Sequence, residues 1–161
     1  QSVIGGNFMW LKHAQAKLET WEPGIHLDRL VGSHDGYLRL SDPVLHRREI
    51  ILDKLTNHIK IFDTLNCKGR HHVALHWHCH EQADIKLTDS TVIIGGIRAK
   101  VTMSFKQQGF SVRVARGQES PPLGWVSRSF DIKIPAPVVV WSGEIQGSCT
   151  LETSLQINLE M

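Results

Sequence analysis

Apolar and polar residues alternate with a period of two through most of this chain, and that period predicts β-strands. The last segment is the clearest. Cys149, Leu151, Thr153, Leu155, Ile157 and Leu159 share one face, and Ser148, Thr150, Glu152, Ser154, Gln156, Asn158 and Glu160 share the other. This predicts a long, half-buried antiparallel strand. The start reads similarly, with Phe8, Trp10, Ala14, Ala16 and Leu18 set against His13, Gln15, Lys17 and Glu19. Shorter strands are expected at Thr91–Ile94, Ala99–Phe105, Phe110–Ala115, Phe130–Ile134 and Val138–Trp141. Gly95-Gly96, Gln107-Gln108-Gly109, Arg116-Gly117 and Pro121-Pro122 supply the turns between them. The apolar stripe from Val44 to Phe62 also fits a helix. Its β-branched residues Ile50, Ile51, Ile59 and Ile61, with Asn57, favour a hairpin instead: Leu45–Leu52, a turn near Thr56-Asn57, then Ile59–Leu65. The fold class read from this pattern is all-β, an antiparallel β-sandwich of two layers built from many short strands, with little or no helix.

Composition narrows the picture. The 161 residues fit a single domain, 1–161, large enough to bury a core without staples. Lys and Arg number 18 against 16 Asp and Glu, a net charge of +2. The one arginine run, Arg47-Arg48, is followed at once by Glu49, so no basic stripe marks a nucleic-acid partner. No apolar run reaches the length of a membrane span. Three cysteines without CxxC spacing, Cys67, Cys79 and Cys149, allow at most one internal disulfide and equally allow three free thiols. The chain opens Gln1-Ser2-Val3 with strand-like sequence almost at once, which reads as a piece of a longer protein; its compartment stays open, with a periplasmic or extracellular place favoured if the parent carries a signal peptide.

Two stretches carry candidate chemistry. In Arg70 to His80, a strand puts Val73, Leu75, Trp77 and Cys79 on one face and His72, His76, His78 and His80 on the other. Histidines two apart on a strand point the same way, so His76, His78 and His80 are a possible metal set; the alternative is a polar stripe facing solvent or a groove. The second stretch runs from Ser33 to Arg48 and concentrates His, Tyr and Arg. β-Elimination beside a uronate carboxylate needs a base, a proton donor to the leaving oxygen and a group that neutralises the carboxylate, and these residue types supply all three. The alternative is a turn at Asp35-Gly36 followed by a strand with a surface arginine pair. Five tryptophans mark no site, since large aromatics in a sandwich are usually core. A GxSxG elbow, a P-loop and an HExxH helix are absent from the sequence.

The second stretch resembles the heparinase II/III-like polysaccharide lyase family. His34-Asp35-Gly36-Tyr37-x-Arg39-Leu40, then Pro43-Val44-x-His46-Arg47-Arg48, then the Asp63 strand, is similar to that bacterial family's C-terminal pattern. His78 within His76-Trp77-His78, Gly124-Trp125-Val126-Ser127, Pro135-Ala136-Pro137 and Leu151-Glu152-Thr153 extend the likeness from about Gly5 to about Ile157. The resemblance implies a C-terminal β-sandwich partnered by an N-terminal α-toroid domain, and cleavage of acidic, uronate-containing polysaccharide, a glycosaminoglycan among the candidates, in the cleft between them. It implies principal catalysts outside this chain, and a structural zinc bound upstream at Gly-His-x-His, Asp-Pro-Gly and His-Asn-Thr-Val motifs, none of which occurs here. The expectation is therefore no catalytic residue and no cofactor in this piece, which is inactive alone. Its contacts to an acidic glycan are expected at His34, Tyr37, Arg39, His46 and Arg47. The alternative is a structural or carbohydrate-binding sandwich without a part in catalysis.

Overall fold

The computed structural model describes residues 2–6, 9–88, 91–96 and 98–159. These hold fifteen strands and no helix. In chain order they are β1 (Val3–Gly6), β2 (Met9–Lys12), β3 (Ala16–Glu22), β4 (Leu27–Tyr37), β5 (Val44–Asp53), β6 (His58–Asn66), β7 (Arg70–His78), β8 (Asp84–Leu87), β9 (Thr91–Gly95), β10 (Ala99–Phe105), β11 (Ser111–Arg116), β12 (Trp125–Val126), β13 (Ile134–Pro135), β14 (Pro137–Gln146) and β15 (Cys149–Leu159). The all-β, antiparallel β-sandwich class read from the sequence is borne out. No helix long and apolar enough to cross a membrane occurs among the described residues. The chain divides into two compact units, Gln1–His71 with Ile145–Ser154 and His72–Glu144 with Leu155–Met161.

In the first unit the strand order is β3-β4-β5-β6-β15, beside a small β1-β2 ribbon. The Val44–Phe62 segment is the expected hairpin: β5 and β6 pair from Leu45↔Asn66 to Asp53↔His58. Its turn closes because the Asp53 carboxylate accepts the amides of Leu55 (2.9 Å) and Thr56 (3.2 Å), while Asn57 takes the left-handed backbone (φ 53°) that Asn tolerates better than most residues. Val31, Val44, Ile61, Leu65 and Leu151 are buried here, each contributing about 1.5–3 kcal/mol. Asp63 and Thr153 are buried among them. The start departs from the single alternating strand expected there. β2 stops at Lys12 and β3 begins at Ala16, because the amides of Ala14 and Gln15 are taken by the Ser2 hydroxyl (3.0 Å) and the Asp35 carboxylate (2.7 Å) instead of a strand neighbour. Phe8 lies outside the described residues.

In the second unit β8, β9 and β10 form an antiparallel meander, and β11-β14-β7 form a three-stranded sheet. β14, the middle strand, is buried without interruption from Pro137 to Trp141, as a strand covered on both faces must be. Phe105 lies against both the Trp141 and Phe110 rings at 5.1 Å. The strand expected over Phe130–Ile134 is not formed; only Ile134–Pro135 pairs, with Trp125–Val126. The Ser127 hydroxyl and the Ile132 amide both bond the Ser129 carbonyl and Asp131 is left-handed (φ 59°), so this stretch is a turn that leaves Phe130 93% exposed. β7 alternates as expected, with Val73, Leu75 and Trp77 inward and His72, His76 and His78 outward. Cys67, Cys79 and Cys149 are free thiols.

Candidate functional site

Register on β4, β5 and β6 brings the His/Tyr/Arg stretch together. His34 pairs with His46, and Arg48 pairs with Asp63. Since 46 and 48 share a strand face, the four side chains lie side by side. His34 Nε2 is 2.9 Å from His46 Nδ1, and His46 Nε2 is 2.6 Å from Asp63 Oδ1. Arg48 grips the same carboxylate with two donors, Nε to Oδ1 at 2.7 Å and Nη2 to Oδ2 at 3.0 Å. At the outer end the Gly36 amide donates to His34 Nδ1 (3.2 Å), and the Tyr37 ring lies 5.3 Å from the His34 ring.

These bonds fix the proton positions. Gly36 needs an acceptor at His34 Nδ1, so neutral His34 carries its proton on Nε2 and donates it to His46 Nδ1. His46 then carries its own proton on Nε2 and donates to Asp63. A proton added to either ring would set two N–H groups against each other. The His34 pKa is accordingly lowered, by burial first and then by the neighbouring His46. Asp63 is 1% exposed. Burial raises its pKa, but the bonds from His46 and Arg48 outweigh this and the net shift is downward, so Asp63 is a carboxylate. The network is closed: both histidines spend their ring nitrogens internally and orient rather than reach outward.

Arg47 occupies the opposite face. Its Nε bonds Glu19 at 2.8 Å and its Nη1 lies 3.8 Å from Glu49, in a ladder that continues through Arg29 to Glu22. That charge is locally neutralised. Arg39 is different. It is exposed in the turn after β4 and lines a cavity of about 130 Å³ with Lys12, His13, Ala14, Asp35, Gly36 and Leu38. Neither Lys12 nor Arg39 has an ion pair among the described residues, and the Tyr37 hydroxyl takes no hydrogen bond among them. A wider depression of about 410 Å³ is lined by Lys17, Leu18, Gly32, His34, His46 and Arg48, among others. Of the expected contacts, the structure thus joins His34, Tyr37 and His46, puts Arg39 at an adjoining cavity and sends Arg47 to the other face. Sequence reasoning missed Asp63 and Arg48 as partners, and Lys12 and His13 as lining residues. Arg48 and Asp63 were signalled by strand parity and by their place in the family-like pattern, neither of which pairs them; Lys12 and His13 reach the cavity through the break at residues 13–15.

The outward histidines do not form a metal-spaced set. The His76 and His78 rings stack at 6.4 Å, His80 lies 3.5 Å from Glu81, and the three do not come within ligand spacing as a group. The single such trio among the described residues is Asp42, Cys67 and His71. The zinc implied by the resemblance takes ligands from motifs absent from this chain, and among the described residues His71 is the one histidine in a metal-spaced group. The residues present therefore do not fit that zinc.

The family model described as heparinase II/III-like, C-terminal, matches residues 1–151. No curated protein matches the chain. Among solved structures, the chain is similar to the heparan sulfate lyase HepC from Pedobacter heparinus, at 14% identity and a TM-score of 0.73, covering 91% of this chain and 22% of that one. It is also similar to the heparinase III-BT4657 gene product, at 16% identity and a TM-score of 0.71, covering 91% of this chain and 22% of that one. The chain thus spans about a fifth of the length of these structures.

Proposed function

This chain belongs to the heparinase II/III-like C-terminal family, and on that premise we propose that it supplies one wall of the substrate cleft of a lyase acting on acidic, uronate-containing polysaccharide. The observation that carries this reading is the convergence of Lys12 and Arg39, neither of them ion-paired among the described residues, with His13, on one cavity beside Tyr37. Unpaired cations around a concavity suit a carboxylate or sulfate, and Arg offers it a two-pronged donor. The His34–His46–Asp63–Arg48 network acts behind this wall. It holds the β4–β5 register and the His34 ring on which Tyr37 rests. Among the residues expected to meet the glycan, Arg39 and Tyr37 are the direct contacts in this reading, His34 and His46 position them, and Arg47 is committed to Glu19 and Glu49. The reaction itself belongs to the longer parent, and the chain alone is inactive.

A second reading, a structural brace without substrate contact, is favoured by one observation. Ile4 (68% exposed), Met9, Trp10, Leu11, Leu18 and Trp21 leave large apolar side chains uncovered on β1, β2 and β3. The occupant we propose for that surface is the preceding α-toroid domain of the parent. Calorimetric titration with heparan sulfate and with alginate oligosaccharides separates the readings. The wall reading expects salt-sensitive binding that falls about tenfold, ~1.4 kcal/mol, in the Lys12→Ala/Arg39→Ala double variant and is unchanged in Arg47→Ala. Equal affinity of the double variant and the parent sequence, or a loss in Arg47→Ala as large as in the double variant, overturns it.

A further inference from the structure

We propose that Asp42, Cys67 and His71 form a divalent transition-metal site, suited to zinc, that clamps the turn before β5 to the turn before β7. One donor atom from each of the three lies within 4.8 Å of the others. Sulfur, imidazole nitrogen and carboxylate oxygen together select a borderline-soft ion with tetrahedral habit, the preference of zinc, with water or a further donor in the fourth position. These residues belong to none of the motifs implied for the family's zinc, and the inference stands apart from the lyase reading.

The local backbone is already arranged for it. Asp42 Oδ2 accepts the amides of Gly69 (2.6 Å) and Lys68 (3.1 Å) and also faces His71 Nε2 at 2.8 Å. Asp42 thus ties down the Lys68-Gly69-Arg70 link that separates Cys67 from His71. The link packs closely: a Cβ on Gly69 would stand 3.1 Å from Asp42 Oδ2. All three bonds fall on Oδ2, and Oδ1 takes no hydrogen bond among the described residues, so one carboxylate oxygen remains for a cation. Cys67 is half-buried and its Sγ lies 3.2 Å from the Gly147 carbonyl, which keeps the sulfur at the site. With bonds of about 2.0 Å to N and O and about 2.3 Å to S, tetrahedral ligand edges are roughly 3.3–3.7 Å. The 2.8 Å between His71 Nε2 and Asp42 Oδ2 is shorter than such an edge and every other edge lies within 4.8 Å, so the ligands meet a tetrahedral ion after shifts of about one ångström or less. Side-chain rotation in two turns supplies movements of that size.

Binding exchanges protons for metal. The Cys67 thiol releases its proton to solvent as the Sγ–metal bond forms, and His71 gives the Nε2 proton it shares with Asp42 to solvent and, as the neutral ring, takes one at Nδ1, so that the freed Nε2 lone pair coordinates. Because protons leave as the metal binds, uptake should weaken as pH falls.

Cobalt(II) titration of the whole chain tests this, because a tetrahedral thiolate site gives visible d–d bands and a near-ultraviolet sulfur-to-cobalt band. The expected result is both band sets saturating at one equivalent, bleached by zinc, absent in Cys67→Ser, retained in Cys149→Ser, and at least tenfold weaker in His71→Ala. Far-ultraviolet circular dichroism of each variant confirms that it is folded. A chain without the sulfur-to-cobalt band, or one whose bands persist in Cys67→Ser or disappear in Cys149→Ser, overturns the assignment. Bands lost only in His76→Ala/His78→Ala would move the site to the β7 stripe and overturn it as well.

Discussion

Replacing Asp63 by Asn tests the network that organises the β4–β5–β6 face. The side chain keeps its shape, loses its charge and turns an N–H₂ toward either Arg48 or His46. Asp63 is 1% exposed and receives three bonds of 2.6–3.0 Å. Hydrogen bonds to a charged group are worth about 1.5–3 kcal/mol each. The Arg48 side chain is 40% exposed, so solvent screens part of the lost attraction. One bond is lost outright and the others weaken, for a net cost of about 2–3 kcal/mol. For a chain of this size that lowers the melting temperature by about 4–12 °C. Thermal and urea unfolding followed by circular dichroism and tryptophan fluorescence measure it. The pH dependence sharpens the test. Asp63 has a pKa lowered from 3.8, so its contribution is fully present above the unfolded value and is lost as pH falls through the folded one. The gap between the two proteins should hold from neutrality to about pH 4 and close below that. A change under about 0.5 kcal/mol at pH 7, or a gap that does not close in acid, would refute the reasoning.

Other consequences follow from single contacts. His34 titrates below its ordinary 6.5, so the folded state resists a proton that the unfolded chain accepts; stability should be full above pH 6.5 and decline below it, and His34→Gln should flatten that decline in unfolding curves between pH 7 and 5. Arg128 holds the Glu81 carboxyl at about 2 through contacts of 2.6 and 3.1 Å, so an NMR titration should find that midpoint, and Arg128→Ala should return it toward 4.5. Gly124 has φ +80°, and an added Cβ would stand 2.8 Å from Arg116 Cα and 2.9 Å from the Ala136 carbonyl oxygen, both backbone; Gly124→Ala should destabilise by at least about 2 kcal/mol in urea unfolding.

Alternation made the strands legible wherever one face is buried. The β5–β6 hairpin, β7, β10 and β15 lie where the period of two put them, and the outward histidines of β7 face outward. It misled at Phe130, where an alternating run turns away from the sheet because Ser127, Ser129 and Asp131 satisfy the backbone locally. At residues 13–15 a strand-like run is broken by side chains from positions 2 and 35, partners that no local pattern reveals. The site divides the same way. Strand parity separates Arg47 from Arg48, but it does not say that Glu19 waits for one and Asp63 for the other. His34 and His46 were visible as chemistry-bearing residues; that they bond one another depends on a register of twelve residues' separation set by the turn between them.

The cleft-wall account rests most directly on what the chain does to a glycan by itself. Heparan sulfate incubated with the chain should be retained in equilibrium dialysis at low salt and released as salt is raised, while the ultraviolet absorbance of unsaturated uronate stays flat. Growth of that absorbance would show a complete catalytic set within these residues, and a chain that retains no glycan at low salt would remove the wall; either result contradicts the account.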